Sequence, residues 1–154
     1  MANVQLGNLG IYGFRADLFG NYDFFDESYD LSTPPTPSGV RLYRDFQNYT
    51  ELKGSGIQYV IEKGEIYGFS SGTITGFTQV TDGYTIFDIS GLDVSAAVVN
   101  ELILSGSPEQ GFRYILSGND TITGSDLSDT LFGGAGTNTL NGRAGTDTAL
   151  YQGN

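Results

Sequence analysis

The stretch TLFGGAGTNTLNGRAGTDTALY (Thr130–Tyr151) has glycine at regular intervals and a single Asp or Asn before each pair of Thr and an aliphatic residue. It contains too few large apolar residues to build an ordinary hydrophobic core. A flexible linker rich in Gly and Thr has no reason to keep such a spacing. The stretch therefore predicts an ordered structure that is held together by something other than apolar packing.

The spacing extends upstream as a period of nine residues in four rows. The rows are ILSGNDTIT, GSDLSDTLF, GGAGTNTLN and GRAGTDTAL, which together cover residues 115–150. Their sixth positions are Asp120, Asp129, Asn138 and Asp147, and their eighth positions are Ile122, Leu131, Leu140 and Ala149. Glycine permits the tight turns in which carbonyl oxygens converge, and the sixth residue adds a side-chain oxygen there. The next three residues have the composition of a very short strand.

This pattern resembles the nonapeptide repeat of the RTX, or hemolysin-type calcium-binding, family, whose consensus is G-G-x-G-x-D-x-U-x with U a large aliphatic residue. The resemblance covers about a quarter of the chain. It implies a parallel β-roll in which two rows complete one coil, with Ca²⁺ bound between stacked turns. It stacks Asp120 over Asn138 on one edge and Asp129 over Asp147 on the other.

The resemblance also implies which backbone carbonyls accompany these side chains as calcium ligands. On the Asp129/Asp147 edge they belong to Gly124, Asp126, Arg143 and Gly145. On the Asp120/Asn138 edge they belong to Ser117, Gly118, Gly133, Ala135 and Gly136.

Several residues depart from the family pattern. Asn138 supplies a neutral ligand where the consensus has Asp, so the Asp120/Asn138 site is expected to be the weaker one. Leu127 and Arg143 occupy consensus glycine positions, which puts the local turn geometry in question. Ala149 is a small residue at an inward position, so the last coil is expected to be thinly packed.

The composition agrees with calcium and excludes several other classes of site. The chain has no Cys and no His, so it has no disulfides, no Cys- or His-based zinc site and no Ser-His catalytic pair. A formal charge of −11 with only seven Lys and Arg residues predicts repulsion from nucleic acids and anionic membranes. Carboxylate and carbonyl oxygens without imidazole or thiolate favour a hard cation.

The residues before the repeats predict a β domain. VRLYRDF (Val40–Phe46), IQYVI (Ile57–Ile61) and YTIFDI (Tyr84–Ile89) nearly alternate and are rich in β-branched and aromatic residues. Turn signals lie at KGSG, EKGE, SSG and TDG, and STPPTPSG reads as an irregular loop. We therefore expect antiparallel strands in residues 1–92.

A short helical bridge is predicted for residues 93–114, ahead of a β-roll in residues 115–154. Asp93 is the expected N-cap of the first helix and Gly106 its C-cap. Ser107 and Gln110 form a capping box, with Pro108 at the first position of the second helix. The bridge is expected to seal one end of the roll. The fold class is thus mainly β.

Two groups of acidic residues outside the repeats are candidate sites. NYDFFDESYD (Asn21–Asp30) has the residues of a second calcium site or a sugar-binding rim, although a solvated turn beside core aromatics explains it more simply. Glycoside hydrolysis needs a pair of carboxylates, and nothing in the sequence brings together two of Glu51, Glu62, Glu65 and Asp88. No enzymatic activity is expected.

The expected protein is secreted and stabilised by calcium. The stretch MANVQLGNLGIYGF lacks the basic and apolar regions of a signal peptide, and no apolar run is long enough to span a bilayer. Both features agree with the type I secretion of RTX-like proteins from Gram-negative cells. The first functional hypothesis is a subunit of an extracellular assembly such as a surface layer, filament, matrix or coat, joined by self-association. The alternatives are a calcium-dependent adhesin that binds carbohydrate and a non-catalytic part of a secreted enzyme.

Overall fold

A computed structural model describes residues 1–7, 31–104 and 108–150. The described chain is mainly β, as predicted. Six strands precede the helices: β1 (Asn3–Leu6), β2 (Leu31–Ser32), β3 (Gly39–Asp45), β4 (Asn48–Glu62), β5 (Glu65–Thr81) and β6 (Tyr84–Ser95). The helices α1 (Ala96–Leu104) and α2 (Pro108–Ile115) follow. Four short strands follow in the described part of the chain: β7 (Thr121–Thr123), β8 (Thr130–Phe132), β9 (Thr139–Asn141) and β10 (Thr148–Leu150).

Strands β2 to β6 form an antiparallel meander. The turn from β4 to β5 has φ values of 52° at Lys63 and 89° at Gly64, and the turn from β5 to β6 has 51° at Asp82 and 78° at Gly83. Two consecutive positive φ values are typical of the tight hairpin turns that match strand twist. The turn signals EKGE and TDG are therefore confirmed.

The other two turn predictions in this region are wrong. KGSG lies inside β4 and SSG inside β5, so the chain does not reverse at either place. Gly56 and Gly72 have φ values of 61° and 108°, and the pairing register of β4 and β5 shifts between Ser55 and Gln58. The sheet thus absorbs these glycines as bulges, which bend a strand without ending it.

Strand β1 joins the meander to the repeat strands. It pairs antiparallel with β6 on one side and parallel with β7 on the other, and β7 pairs in turn with β9. The resulting sheet has eight strands in the order β2-β3-β4-β5-β6-β1-β7-β9. Strands β8 and β10 form a separate parallel pair. One sheet therefore extends from the N-terminal region into the repeats.

An apolar row crosses this sheet from the meander to the repeats. Seven residues face one another on successive strands: Val40, Leu52, Phe77, Ile89, Val4, Ile122 and Leu140. Six of them are buried, and Leu140 packs against the core while partly exposed. Directly opposed side chains on neighbouring strands stabilise a sheet by packing. The inward positions of the repeats thus extend the hydrophobic core of the meander.

The first helix begins later than predicted. Strand β6 continues to Ser95, so the expectation of an N-cap at Asp93 is wrong. The Ser95 hydroxyl instead accepts a hydrogen bond from the amide of Val98 at 3.4 Å, as an N-cap residue does. Strand pairing with β5, which reaches Thr73↔Ser95, keeps Asp93 in the sheet.

The helices lie beside β5 and the repeats. The Asn100 side chain in α1 accepts a hydrogen bond from the amide of Phe69 at 3.0 Å. Pro108 is the first residue of α2, as predicted, whereas Gly106 and Ser107 lie outside the described residues. The acidic and aromatic segment 21–30 also lies outside them. Neither described helix has the length and apolar character needed to cross a membrane.

Candidate calcium centre

The four repeats form two stacks of short parallel strands. β9 lies on β7 with Thr121 facing Thr139, and β10 lies on β8 with Thr130 facing Thr148. Ile122 and Leu131 in the first coil are buried, Leu140 is half-buried and Ala149 is exposed. Apolar packing therefore weakens towards the last coil, where the sequence predicted it to be thin.

In each stack, the sixth residue of the later turn accepts a hydrogen bond from the earlier turn, which lies above it. The Asn138 side-chain oxygen accepts a hydrogen bond from the amide of Asp120 at 2.8 Å. In the other stack, the Asp147 carboxylate accepts one from the amide of Asp129 at 2.9 Å. The structure thus brings together the two pairs that the repeat register predicted, Asp120 with Asn138 and Asp129 with Asp147.

Glycine lets successive turns approach closely. Gly136 has a φ of 103°, and a Cβ there would collide with the carbonyl of Gly118 in the turn above. Gly145 has a φ of 109°, and a Cβ there would lie 2.7 Å from the Leu127 carbonyl. Such contacts and such φ values exclude other residues. The backbones of neighbouring turns therefore lie directly against one another on both edges.

The departures from the consensus leave the turns intact. Arg143 adopts a φ of 68°, the left-handed conformation of the glycine that it replaces. Its Nε lies 3.2 Å from Oδ1 of Asp126 in the turn above. Leu127 places its carbonyl against Gly145. The doubt about local geometry at Leu127 and Arg143 is thus resolved in favour of the stacked turn.

Asp129 is held by its own turn. It is 2% exposed, and its Oδ2 accepts a hydrogen bond from the amide of Ser125 at 2.7 Å. The Ser125 hydroxyl lies 3.1 and 3.0 Å from its two carboxylate oxygens. Ser125 occupies a consensus glycine position and uses its side chain to orient the acid. The sequence analysis did not identify this role, although a hydroxyl four residues before the acid was visible.

Asp120 has a buried oxygen that fits a cation. The residue is 3% exposed, and its Oδ1 accepts a hydrogen bond from the amide of Ala2 at 2.6 Å. Its Oδ2 is buried and has no hydrogen-bond partner among the residues that the structure describes. Burying a carboxylate oxygen without a donor is costly, and a hard cation removes that cost. The residues of this edge therefore fit Ca²⁺.

The side-chain amide of Asn138 has a hydrogen-bond donor, which a carboxylate at this position would lack. Its Nδ2 lies 3.4 Å from the carbonyl oxygens of both Gly134 and Ala135 in its own turn. A donor directed at the turn carbonyls competes with a cation for the same oxygens. The contact gives a structural reason for expecting the weaker site on this edge.

The remaining predicted ligand residues lie at the same turns. The Gly124 carbonyl accepts a hydrogen bond from Nε2 of the Gln5 side chain at 3.2 Å, and the Gly133 backbone lies against the Asn138 side chain. Within the described residues, no three acidic side chains gather closely enough to hold a metal by themselves. A cation bound here would take most of its ligands from carbonyl groups, as Ca²⁺ does readily.

Comparison with known proteins identifies the C-terminal quarter. Residues 114–149 match a family model described as RTX calcium-binding nonapeptide repeat, in four copies. These residues are RTX calcium-binding repeats. RTX nonapeptides bind calcium, so Ca²⁺ is the ion of this region, as predicted. No curated protein and no solved structure matches the chain.

The sequence analysis did not predict that β1 pairs with the first strand of the RTX repeats. The Ala2 carbonyl accepts a hydrogen bond from the amide of Thr121 at 2.9 Å, while its amide binds Asp120. Strand β1 thus lies against the first repeat as a further coil would, although only the helical bridge was expected to cover that end. The alternating apolar residues Ala2, Val4 and Leu6 were the available signal.

Proposed function

We propose that this protein is a secreted, calcium-stabilised structural protein that forms a subunit of an extracellular assembly. The continuous apolar row from Val40 to Leu140 supports the proposal best. Because β7 and β9 of the RTX repeats share one sheet with the meander, calcium bound at their turns stabilises that sheet. Calcium then converts a chain that is folded in part into a rigid building block.

The exposed strand edges of the roll supply the subunit contacts. Among the described strands, β9 and β10 each have a neighbour on one side. All three residues of β10 are exposed, including the apolar Leu150 at 36%. Unpaired edge groups favour pairing with another chain. Bound Ca²⁺ also offsets part of the −11 charge that keeps subunits apart.

Secretion and the lack of catalysis belong to the same proposal. RTX repeats are typical of secreted proteins, which supports an extracellular location reached by type I secretion from a Gram-negative cell. Two of the acids considered for hydrolysis take part in contacts across the sheet. Glu51 pairs with Arg41 at 2.7 Å, and Asp88 accepts a hydrogen bond from Thr78 at 2.6 Å. These contacts favour a structural role for both.

A second candidate function is calcium-dependent adhesion to carbohydrate. The half-exposed ring of Tyr84, which lines a cleft beside the RTX turns, favours it. Aromatic faces provide a rigid, partly apolar surface for binding.

Light scattering across a calcium titration tests the assembly. We expect the mass to rise with calcium and to return to that of the monomer when the calcium is chelated. Leu150→Asp should prevent the increase, because it adds charge to the exposed edge of β10. Ile61→Asp is the matched control, since Ile61 is a 52% exposed apolar residue of β4 outside the repeats.

A protein that stays monomeric at millimolar calcium would contradict the assembly. Loss of assembly in Ile61→Asp but not in Leu150→Asp would place the interface on β4 and reject the roll edge.

A further inference from the structure

A cleft of about 290 Å³ lies where the meander meets the RTX turns. Tyr84 and Thr85 come from the start of β6, and Leu6 and Gly7 from the end of β1. Asp126 and Arg143 come from two successive turns of one RTX stack. Binding sites are typically concave, with an apolar surface and a few polar groups that point to one place. The cleft has both kinds of group.

The floor of the cleft is backbone that cannot easily move. The Gly7 amide donates a hydrogen bond to the carbonyl of Ile86 at 3.0 Å. A Cβ at Gly7 would collide with the carbonyl of Thr85, so β1 passes directly against β6 here. On the other side, the Gln5 side chain donates to the Gly124 carbonyl at 3.2 Å. These contacts fix β1 between the two walls.

The aromatic wall is positioned in advance by a tight turn. Tyr84 follows the Asp82–Gly83 turn and is 53% exposed. The Gly83 amide donates to the Gln47 carbonyl at 2.9 Å, and the Asp82 amide donates to the Asn48 side chain at 3.0 Å. A ligand that stacks on the ring therefore needs little ordering of the protein, which lowers the cost of binding.

The polar wall is an ion pair with spare hydrogen-bonding groups. Arg143 contacts Oδ1 of Asp126 through Nε at 3.2 Å, and both side chains are largely exposed. Among the described residues, the Arg143 guanidinium contacts only Asp126, through Nε, so its two Nη groups remain available to a ligand. Asp126 offers acceptors beside them. This pair presents donors and acceptors together without net charge.

The charge of the pair and of the chain points to a neutral ligand. An anion would meet Asp126 and an overall charge of −11. A cation would meet Arg143. A neutral ring with several hydroxyl groups matches both walls, because its apolar face stacks on an aromatic ring while its hydroxyls donate and accept.

We propose that this cleft binds a neutral saccharide, with one pyranose ring on Tyr84 and its hydroxyls on Asp126 and Arg143. Because both polar residues belong to stacked RTX turns, saccharide binding requires calcium. The inference names the ligand class and the site for the second candidate function, adhesion to carbohydrate. It rests on that function and on the ordering of the turns by calcium. It does not depend on the assembly of subunits.

Saturation-transfer NMR with maltose, cellobiose and lactose as probes tests the cleft, with millimolar calcium and after chelation. We expect transfer to the ring protons of at least one probe with calcium present, and none after chelation. Tyr84→Ala should weaken binding by up to about tenfold, the usual worth of an aromatic contact. Tyr67→Ala is the matched control, since Tyr67 is a 51% exposed tyrosine outside the cleft. Asp126→Asn, which keeps the shape of the side chain, should also weaken binding.

Three results would overturn the proposal. They are no transfer to any probe from the calcium-loaded protein, equal binding by Tyr84→Ala and the unchanged protein, and binding that survives chelation. Light scattering of the same samples separates this outcome from a failure to assemble.

Discussion

At the scale of single residues, the two RTX stacks differ by one functional group. Asp147 and Asn138 both occupy the sixth position of their repeat. Each accepts a hydrogen bond from the backbone amide of the sixth-position residue in the turn above it. Asp147 brings a negative charge to its turn, whereas Asn138 brings a donor that lies near two turn carbonyls. Calcium affinity rises with the number of charged ligands. The two edges should therefore bind calcium unequally.

Giving both edges the same side chain at this position should remove the difference. Asn138→Asp should raise the affinity of its edge by roughly tenfold, because it adds a charged ligand and removes the competing amide. Asp147→Asn is the matched reverse change and should lower the affinity of its edge by a similar factor. Calorimetric calcium titration measures both. Identical isotherms for the two variants would show that the stacks are not built as described.

The glycine contacts between turns make a second prediction at this scale. Gly145→Ala should weaken calcium binding and lower the melting temperature, since its Cβ would lie 2.7 Å from the Leu127 carbonyl. Gly64→Ala is the control, because Gly64 has a φ of 89° and a Cβ there would meet nothing within 4 Å. Both variants place an alanine in the left-handed backbone conformation, which lowers the free energy of unfolding by about 1–2 kcal/mol. Only Gly145→Ala should also reduce calcium affinity, and an equal loss in both would contradict the close stacking.

At the scale of elements, β1 depends on both of its neighbours. At Asn3, Val4 and Gln5, β1 pairs with a residue of β6 on one side and with a residue of β7 on the other. Without calcium, the converging oxygens of the turns repel one another, and we expect the RTX strands to lose order. Strand β1 would then keep its pairing with β6 alone. We therefore expect calcium bound at the turns to control the stability of β1, which follows Ala2, the residue that bonds to Asp120 from 118 positions away in sequence.

Hydrogen exchange measures this dependence. Chelating calcium should speed amide exchange in β7 to β10 and also in β1, because loss of a neighbouring strand makes local opening easier. Exchange in β4 and β5, which pair with each other over most of their lengths, should not change and serves as the internal control. Unchanged protection of β1 after chelation would show that its pairing with β6 suffices.

At the scale of the whole molecule, calcium should raise thermal stability and magnesium should do so only weakly. A carbonyl-rich site suits the flexible coordination of Ca²⁺ better than the octahedral coordination that Mg²⁺ demands. Calcium at a hundredfold excess over Kd stabilises by about 2.7 kcal/mol, which corresponds to a rise of about 5–10 °C for a chain of this size. Thermal melts by circular dichroism measure the effect, with Asp147→Asn as the control that should respond less. Equal increases in melting temperature with calcium and magnesium would contradict a carbonyl-rich site that prefers Ca²⁺.

The sequence by itself determined what local spacing encodes. The nine-residue period located the turns and the inward residues, because every copy of a repeated unit has the same spacing. The resemblance of that period to the RTX repeat implied the stacking partners and the ion. The hairpin turns at Lys63–Gly64 and Asp82–Gly83 were also predictable, since each contains a glycine, which accepts positive φ, beside strands of alternating pattern.

Only the tertiary structure decided which strands become neighbours. No local signal places Ala2 beside Asp120, since that pairing depends on shape and burial over most of the chain. For the same reason KGSG and SSG read as turns but lie within β4 and β5, where pairing with neighbouring strands outweighs the local preference of glycine. The Asp126–Arg143 wall and Tyr84 likewise meet only because β1 lies between the meander and the repeats. Local patterns specify turns and periods, whereas long-range burial selects one arrangement of strands among those that the patterns allow.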